Sequence, residues 1–122
     1  MAYELRLRWR AQLEGRERLS GACYAILTGI ESNLGGNRDK AAARLSVDKP
    51  VLSTIGKLAA REDPVHGRAY GKAGGAAGPL TEAEVKWLEA VTPRLIRQAA
   101  EYEAKVPSLR QITMADLPTL SD

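Results

Sequence analysis

A chain of 122 residues is long enough to bury one hydrophobic core and too short for two. With 44% apolar and 27% charged residues it has the balance of a folded domain, which excludes a disordered tail, and a formal charge of +3 is too small by itself to mark a nucleic-acid binder. Its single cysteine, Cys23, excludes an intramolecular disulfide and any zinc site built on paired cysteines.

No apolar run approaches the roughly 20 residues that span a bilayer. The opening "MAYELRLRWR" lacks the apolar stretch of a signal peptide. The expectation is a cytoplasmic protein, neither exported nor inserted in a membrane. Leu and Ala dominate the apolar set, with no Phe, two Trp and four Tyr, so an all-α fold is predicted.

In chain order, Leu5, Trp9 and Leu13 recur every four residues, and Leu19, Cys23, Ile26, Leu27, Ile30 and Leu34 continue the stripe. This predicts one long helix or two short ones, with weak points at Gly15 and at Ser20-Gly21. "LGGN", residues 34–37, ends the element. A second helical stretch is expected from about Asp39 to Leu45. A third follows from about Lys49 to Arg61, with Asp48 placed to cap it and Pro50 in its first turn. Residues 62–80 are dense in Gly and Pro without periodicity and predict a flexible loop. The final helix opens with Thr81 and Glu84 at capping-box spacing and carries Val85, Leu88, Val91, Leu95 and Ala99 on one face. Pro93 is expected to kink it or split it in two. Residues 106–122 read as an extended tail partly docked on the core, the whole chain forming a single helical domain over 1–122.

Charge is distributed unevenly. Residues 1–37 hold five basic and four acidic side chains (+1), residues 38–72 eight and four (+4), and residues 73–122 five and seven (−2). The excess falls on "DKAAARLSVDKPVLSTIGKLAAR", residues 39–61. There Ala42 is a small residue that lets a second helix cross closely, Leu45 and Val47 flank a short turn, and Leu52 and Ile55 are apolar anchors. At these apolar positions the segment resembles the helix-turn-helix motif of bacterial DNA-binding regulators. It departs from that motif in having Ser46 where Gly is usual and Asp48 near the phosphates.

The resemblance implies a small bundle of four to five helices around a central helix-turn-helix-like hairpin, with duplex DNA as partner. Lys49, Ser53, Thr54 and Lys57 would face the major groove, while Arg38, Lys40, Arg44 and Arg61 would serve the phosphates. None of the groove residues is a bidentate Arg, Asn or Gln, so binding would rest on charge more than on sequence. The same spacing is also what core packing demands, and a non-catalytic helical protein-interaction module is the alternative.

Arg61 and His66 have the Arg-x4-His spacing that resembles the ribonuclease motif of HEPN-domain proteins, but Pro64 places His66 in the Gly-rich loop rather than on a helix. "GKAGGAAG", residues 71–78, lacks the Gly-Lys-Ser/Thr ending of a phosphate loop. Glu82, Glu84, Glu89, Glu101 and Glu103 read as a solvated helix face, and Cys23 as a buried small hydrophobe. No catalytic constellation, cofactor or metal site is expected, so the protein is read as a non-enzyme. In the first helix, Arg6, Arg8, Arg10, Arg16 and Arg18 alternate with Glu4, Glu14 and Glu17 around a narrow apolar stripe, a pattern that suits a homodimer paired through the N-terminal helix. A dimer would supply a helix-turn-helix with two half-sites.

Overall fold

The computed structural model describes residues 1–62 and 79–120. Within them the chain forms five α-helices: α1 (Ala2–Leu13), α2 (Leu19–Asn33), α3 (Arg38–Leu45), α4 (Lys49–Glu62) and α5 (Glu82–Glu103). A short 3₁₀ turn, Met114–Asp116, lies in the tail. The architecture is the small all-α bundle that composition and periodicity predict. Most of the loop expected at 62–80, including His66, lies outside the described residues.

The N-terminal stripe resolves into two helices, and the break falls at Gly15. That residue has φ +77°, a backbone conformation that costs glycine nothing and strains other residues. Ser20 and Gly21 lie inside α2, where Ser20 is buried, so the other weak point does not bend the chain apart. α1 turns Leu5 inward against α2, close enough that a Cβ at Gly29 would sit 3.1 Å from Leu5 Cδ2. Trp9 packs half-buried on the same core.

α2 and α4 make the most extensive pairing, with α5 closing the bundle against α1, α2 and α3. Ile26, Leu27 and Ile30 of α2 meet Val51, Leu52 and Ile55 of α4 and Trp87, Leu88, Val91 and Leu95 of α5 in one buried cluster. Full burial of side chains of this size contributes about 1.5–3 kcal/mol each. α5 starts at the expected capping box: Glu84 N–H donates to Thr81 Oγ1 (3.2 Å) and Thr81 N–H donates to Glu84 Oε1 (2.8 Å).

Pro93 lies inside α5 and does not split it in two, the stronger of the two outcomes expected from the sequence; the helix is continuous to Glu103. The ring lies on the exposed side between the buried Val91–Thr92 and Leu95–Ile96 pairs. The carbonyl of Glu89, which loses its partner, therefore lies toward water.

The tail returns across the bundle to the turn between α3 and α4. Ile112, 1% exposed, joins the core, and a single parallel bridge pairs it with Val47. Ile112 N–H donates to Ser46 O (3.0 Å), and Asp48 N–H donates to Ile112 O (2.9 Å). Gln98, buried on α5, sends Nε2 to Leu45 O (3.0 Å) and to Arg110 O (2.6 Å), so one amide fastens the end of α3 and the tail together. No described helix is long and apolar enough to cross a membrane.

Candidate nucleic-acid interface

α3 runs from Arg38 to Leu45, starting one residue before the expected Asp39. Asn37 accepts the Lys40 N–H on its side-chain oxygen (2.8 Å), satisfying one of the free donors of the first turn. After the eight residues of α3, Ser46 takes φ 59°, ψ 47°, the left-handed conformation that terminates a helix, and α4 starts after Val47 and Asp48. The apolar set around this turn is turned inward: Ala42, Leu45, Val47, Leu52 and Ile55 are all buried. Two helices of 8 and 14 residues are thus joined by a turn of three.

On the outer side of α4, Lys49, Ser53 and Lys57 recur every four residues and share one line. Lys57 is exposed. Ser53 and Thr54 are half-buried, and Thr54 Oγ1 donates back to Pro50 O (2.7 Å), which leaves its oxygen as an acceptor. Lys49 is exposed but pairs with Asp39 of α3, Nζ to Oδ1 at 2.8 Å. An exposed pair of this kind is worth at most about 1 kcal/mol, so the lysine exchanges readily to a competing anion. Lys40 and Arg44 are exposed one turn apart on α3. Asp48, expected to cap α4, accepts Gln111 Nε2 on Oδ1 (2.5 Å), which directs its carboxylate toward the tail.

Two of the eight basic and polar residues singled out in the sequence are held within the fold. Arg38 Nε donates to Glu31 Oε2 of α2 at 2.7 Å, and its guanidinium lies over Gly56 of α4, where an added Cβ would come within 3.0 Å of it. A larger residue at position 56 would have to push the guanidinium aside by a few tenths of an ångström. Arg61 pairs with Glu84 at 2.5 Å, both side chains less than one fifth exposed, and also donates to Pro79 O (3.4 Å). Burial would raise the Glu84 carboxyl; the Thr81 backbone N–H and the Arg61 guanidinium outweigh it and hold the group below its usual range. Arg38 and Arg61 therefore act as struts between helices, and Lys40, Arg44, Lys49 and Lys57 remain on the outer surface of the hairpin.

A second basic feature lies beside the turn. Arg94, Arg97, Gln98 and Glu101 occupy one face of α5 at helical spacing and, with Arg110 and Ile112 of the tail, line a cleft of about 250 Å³. The 3- and 4-residue spacing of Arg94, Arg97 and Gln98 was visible in the sequence, but the net −2 of residues 73–122 concealed it.

Cys23 is buried, its Sγ 3.3 Å from Thr92 Oγ1. Burial pushes its thiol up to about 11, so it packs as a neutral small side chain. Among the described residues no group of His, Cys, Asp and Glu is arranged to hold a metal ion. No protein-family model matches the chain, and neither a curated protein nor a solved structure is significantly similar to it.

Proposed function

We propose that α3, its three-residue turn and α4 form a helix-turn-helix that binds duplex DNA, with α4 entering the major groove. The observation that carries the reading is the left-handed Ser46 after an eight-residue helix, with Ala42, Leu45, Val47, Leu52 and Ile55 buried around it. A turn so placed fixes the angle between the helices and leaves the line of Lys49, Ser53 and Lys57 facing outward. Lys57 and Lys49 bring charge to the groove, Lys40 and Arg44 reach phosphates, and Ser53 and Thr54 offer short, promiscuous hydrogen-bonding groups. Such a surface binds by charge and shape, with little sequence discrimination. Regulation of transcription would then depend on additional contacts.

A gel-shift titration on random duplex DNA tests the reading. Wild type should shift the duplex at low salt, and Lys49→Glu with Lys57→Glu should weaken binding by roughly two orders of magnitude while leaving the helical circular dichroism unchanged. A double variant that binds like wild type would remove α4 from the interface.

A second reading, a protein-interaction face on α1, has its own observation. Tyr3 (67%), Leu7 (44%) and Leu13 (68%) are exposed large apolar side chains on one short helix. Because Leu5 and Trp9 pack on the protein's own core, these three, not the whole stripe, are what α1 offers to a second copy of the chain. Pairing there would give a homodimer with two helix-turn-helix units. Light scattering across micromolar concentrations should report twice the monomer mass, and Leu7→Glu with Leu13→Glu should return it to the monomer.

A further inference from the structure

The cleft between α5 and the tail has features that packing alone does not require. Three arginines, Arg94, Arg97 and Arg110, line it together with one acidic residue, Glu101. Like charges placed together at a surface repel one another unless an anion joins them. Their own partners leave most of their donors open. Arg97 Nε stands 3.6 Å from Glu101 Oε2, beyond hydrogen-bond length, and Arg94 makes one long contact to Asp116 O (3.3 Å). The nearby Asp116 carboxylate accepts Thr113 N–H (2.9 Å) and Thr113 Oγ1 (3.1 Å), and the charges of Arg94 and Arg110 also hold it below its usual range; it offsets part of their charge but takes none of their N–H donors in a direct ion pair. Buried Gln98, which also lines the cleft, ties both Leu45 and Arg110 by their carbonyls, which fixes the backbone of Arg110 relative to α5 and to the α3–α4 turn. A guanidinium presents five N–H donors in a planar fork, and two or three converging forks match the oxygens of a tetrahedral oxyanion.

We propose that this cleft is an oxyanion site that takes a phosphate group. Its place beside the turn, with Arg44 one residue from the carbonyl that Gln98 holds, puts it next to the surface proposed to meet DNA. A phosphate of the duplex backbone flanking the groove is one source of the group, and this source rests on the helix-turn-helix reading; a free phosphorylated compound is the other. The site itself does not depend on which.

The test has two arms and uses the full chain. In the first, ¹⁵N-labelled protein is titrated with inorganic phosphate at constant ionic strength, following the amides of Gln98, Arg110 and Ile112 and the arginine Nε–H signals. Wild type should show saturable shifts centred on the cleft. Arg97→Gln with Arg110→Gln, both exposed and neither holding the tail as Arg94 does, should weaken the fit by about tenfold or more with the rest of the spectrum intact. Glu101→Gln, which removes the competing carboxylate, should tighten it, a gain that a purely structural role does not produce. Shifts in wild type that grow linearly without saturating, or a double variant that titrates like wild type, would overturn the proposal.

In the second arm, duplex affinity is measured against salt. If the backbone supplies the phosphate, the double arginine variant should lower the slope of log K against log salt by about 1. A slope that is unchanged while inorganic phosphate still saturates the cleft assigns the site to a free phosphorylated compound. Saturable phosphate binding in a wild type that shifts no duplex would sink the helix-turn-helix and leave the site standing. Duplex binding without saturable phosphate would do the reverse.

Discussion

Replacing Gln98 by Met removes the two side-chain hydrogen bonds that fasten the tail and the end of α3, at nearly constant volume. The Leu45 carbonyl belongs to a fully buried residue and would be left without a donor, at about 1–3 kcal/mol. The Arg110 carbonyl lies at an exposed residue where water can replace the amide, so its loss adds about 1 kcal/mol or less. The sum, about 1–4 kcal/mol, is a large share of the stability of a domain this size, and its middle corresponds to a Tm lower by roughly 10 °C. The change should also be local first. Hydrogen exchange at the amides of Ile112 and Asp48, which pair across the same junction, should accelerate before that of the α2 and α4 core. Gln98→Glu, which cannot donate to either carbonyl when ionised, should be worse than Gln98→Met. Thermal denaturation that places Gln98→Met within about 2 °C of wild type, with Ile112 still protected, would refute the reasoning that this amide is a clasp.

Ser46→Gly should raise stability by up to about 1 kcal/mol in urea titration, because Ser46 sits at φ 59° where glycine is unstrained; a loss would mean that the serine makes a contact more valuable than the strain. The Cys23 thiol, buried and pushed up to about 11, should resist a thiol-alkylating reagent at neutral pH until the protein unfolds globally, and fast native labelling would contradict its packing role. Against the opposing effect of burial, the Thr81 N–H and the Arg61 guanidinium hold the Glu84 carboxyl below the usual glutamate range, so the Arg61–Glu84 strut contributes fully above the unfolded-state pKa and is lost as pH falls through the lower folded-state value. Glu84→Gln should therefore flatten the acid limb of the stability profile, and an unchanged limb would show that other carboxylates govern it. Asp39→Asn frees Lys49 from its ion pair and should tighten duplex binding a few-fold, whereas weaker binding would place Lys49 outside the interface.

Local signals carried the helical class well. The Thr81–Glu84 box, the α5 stripe and the inward set of Ala42, Leu45, Val47, Leu52 and Ile55 follow from spacing within one or two turns, and burial agrees with it except at Val85, which is half-buried. What failed to show depends on partners distant in sequence. Nothing near Arg38 or Arg61 says that Glu31 and Glu84 will hold them, so basic residues on a basic segment look alike whether they brace helices or face water. Pro93 has the local mark of a helix breaker, yet the apolar pairs on both sides bury against the bundle and carry the helix through it. Asn37 could have been found as a cap, being one of the strongest N-cap residues and placed directly after two glycines. The seat of Ile112 and the arginine cleft arise only when the tail folds back, and summing charge by segment hid the cleft under an acidic total.

If the outer surface of α3 and α4 meets a nucleic-acid backbone, as proposed, the affinity of wild type for duplex DNA must fall steeply with salt. Lys40, Arg44, Lys49 and Lys57 are the exposed cations of the hairpin, and each neutralised phosphate contributes about −0.9 to the slope of log K against log salt. Fluorescence anisotropy with a labelled random duplex, from about 50 to 200 mM salt, should give a slope of about −3 to −4 for each protomer bound. A slope near zero, or no binding at the lowest salt, would contradict the account.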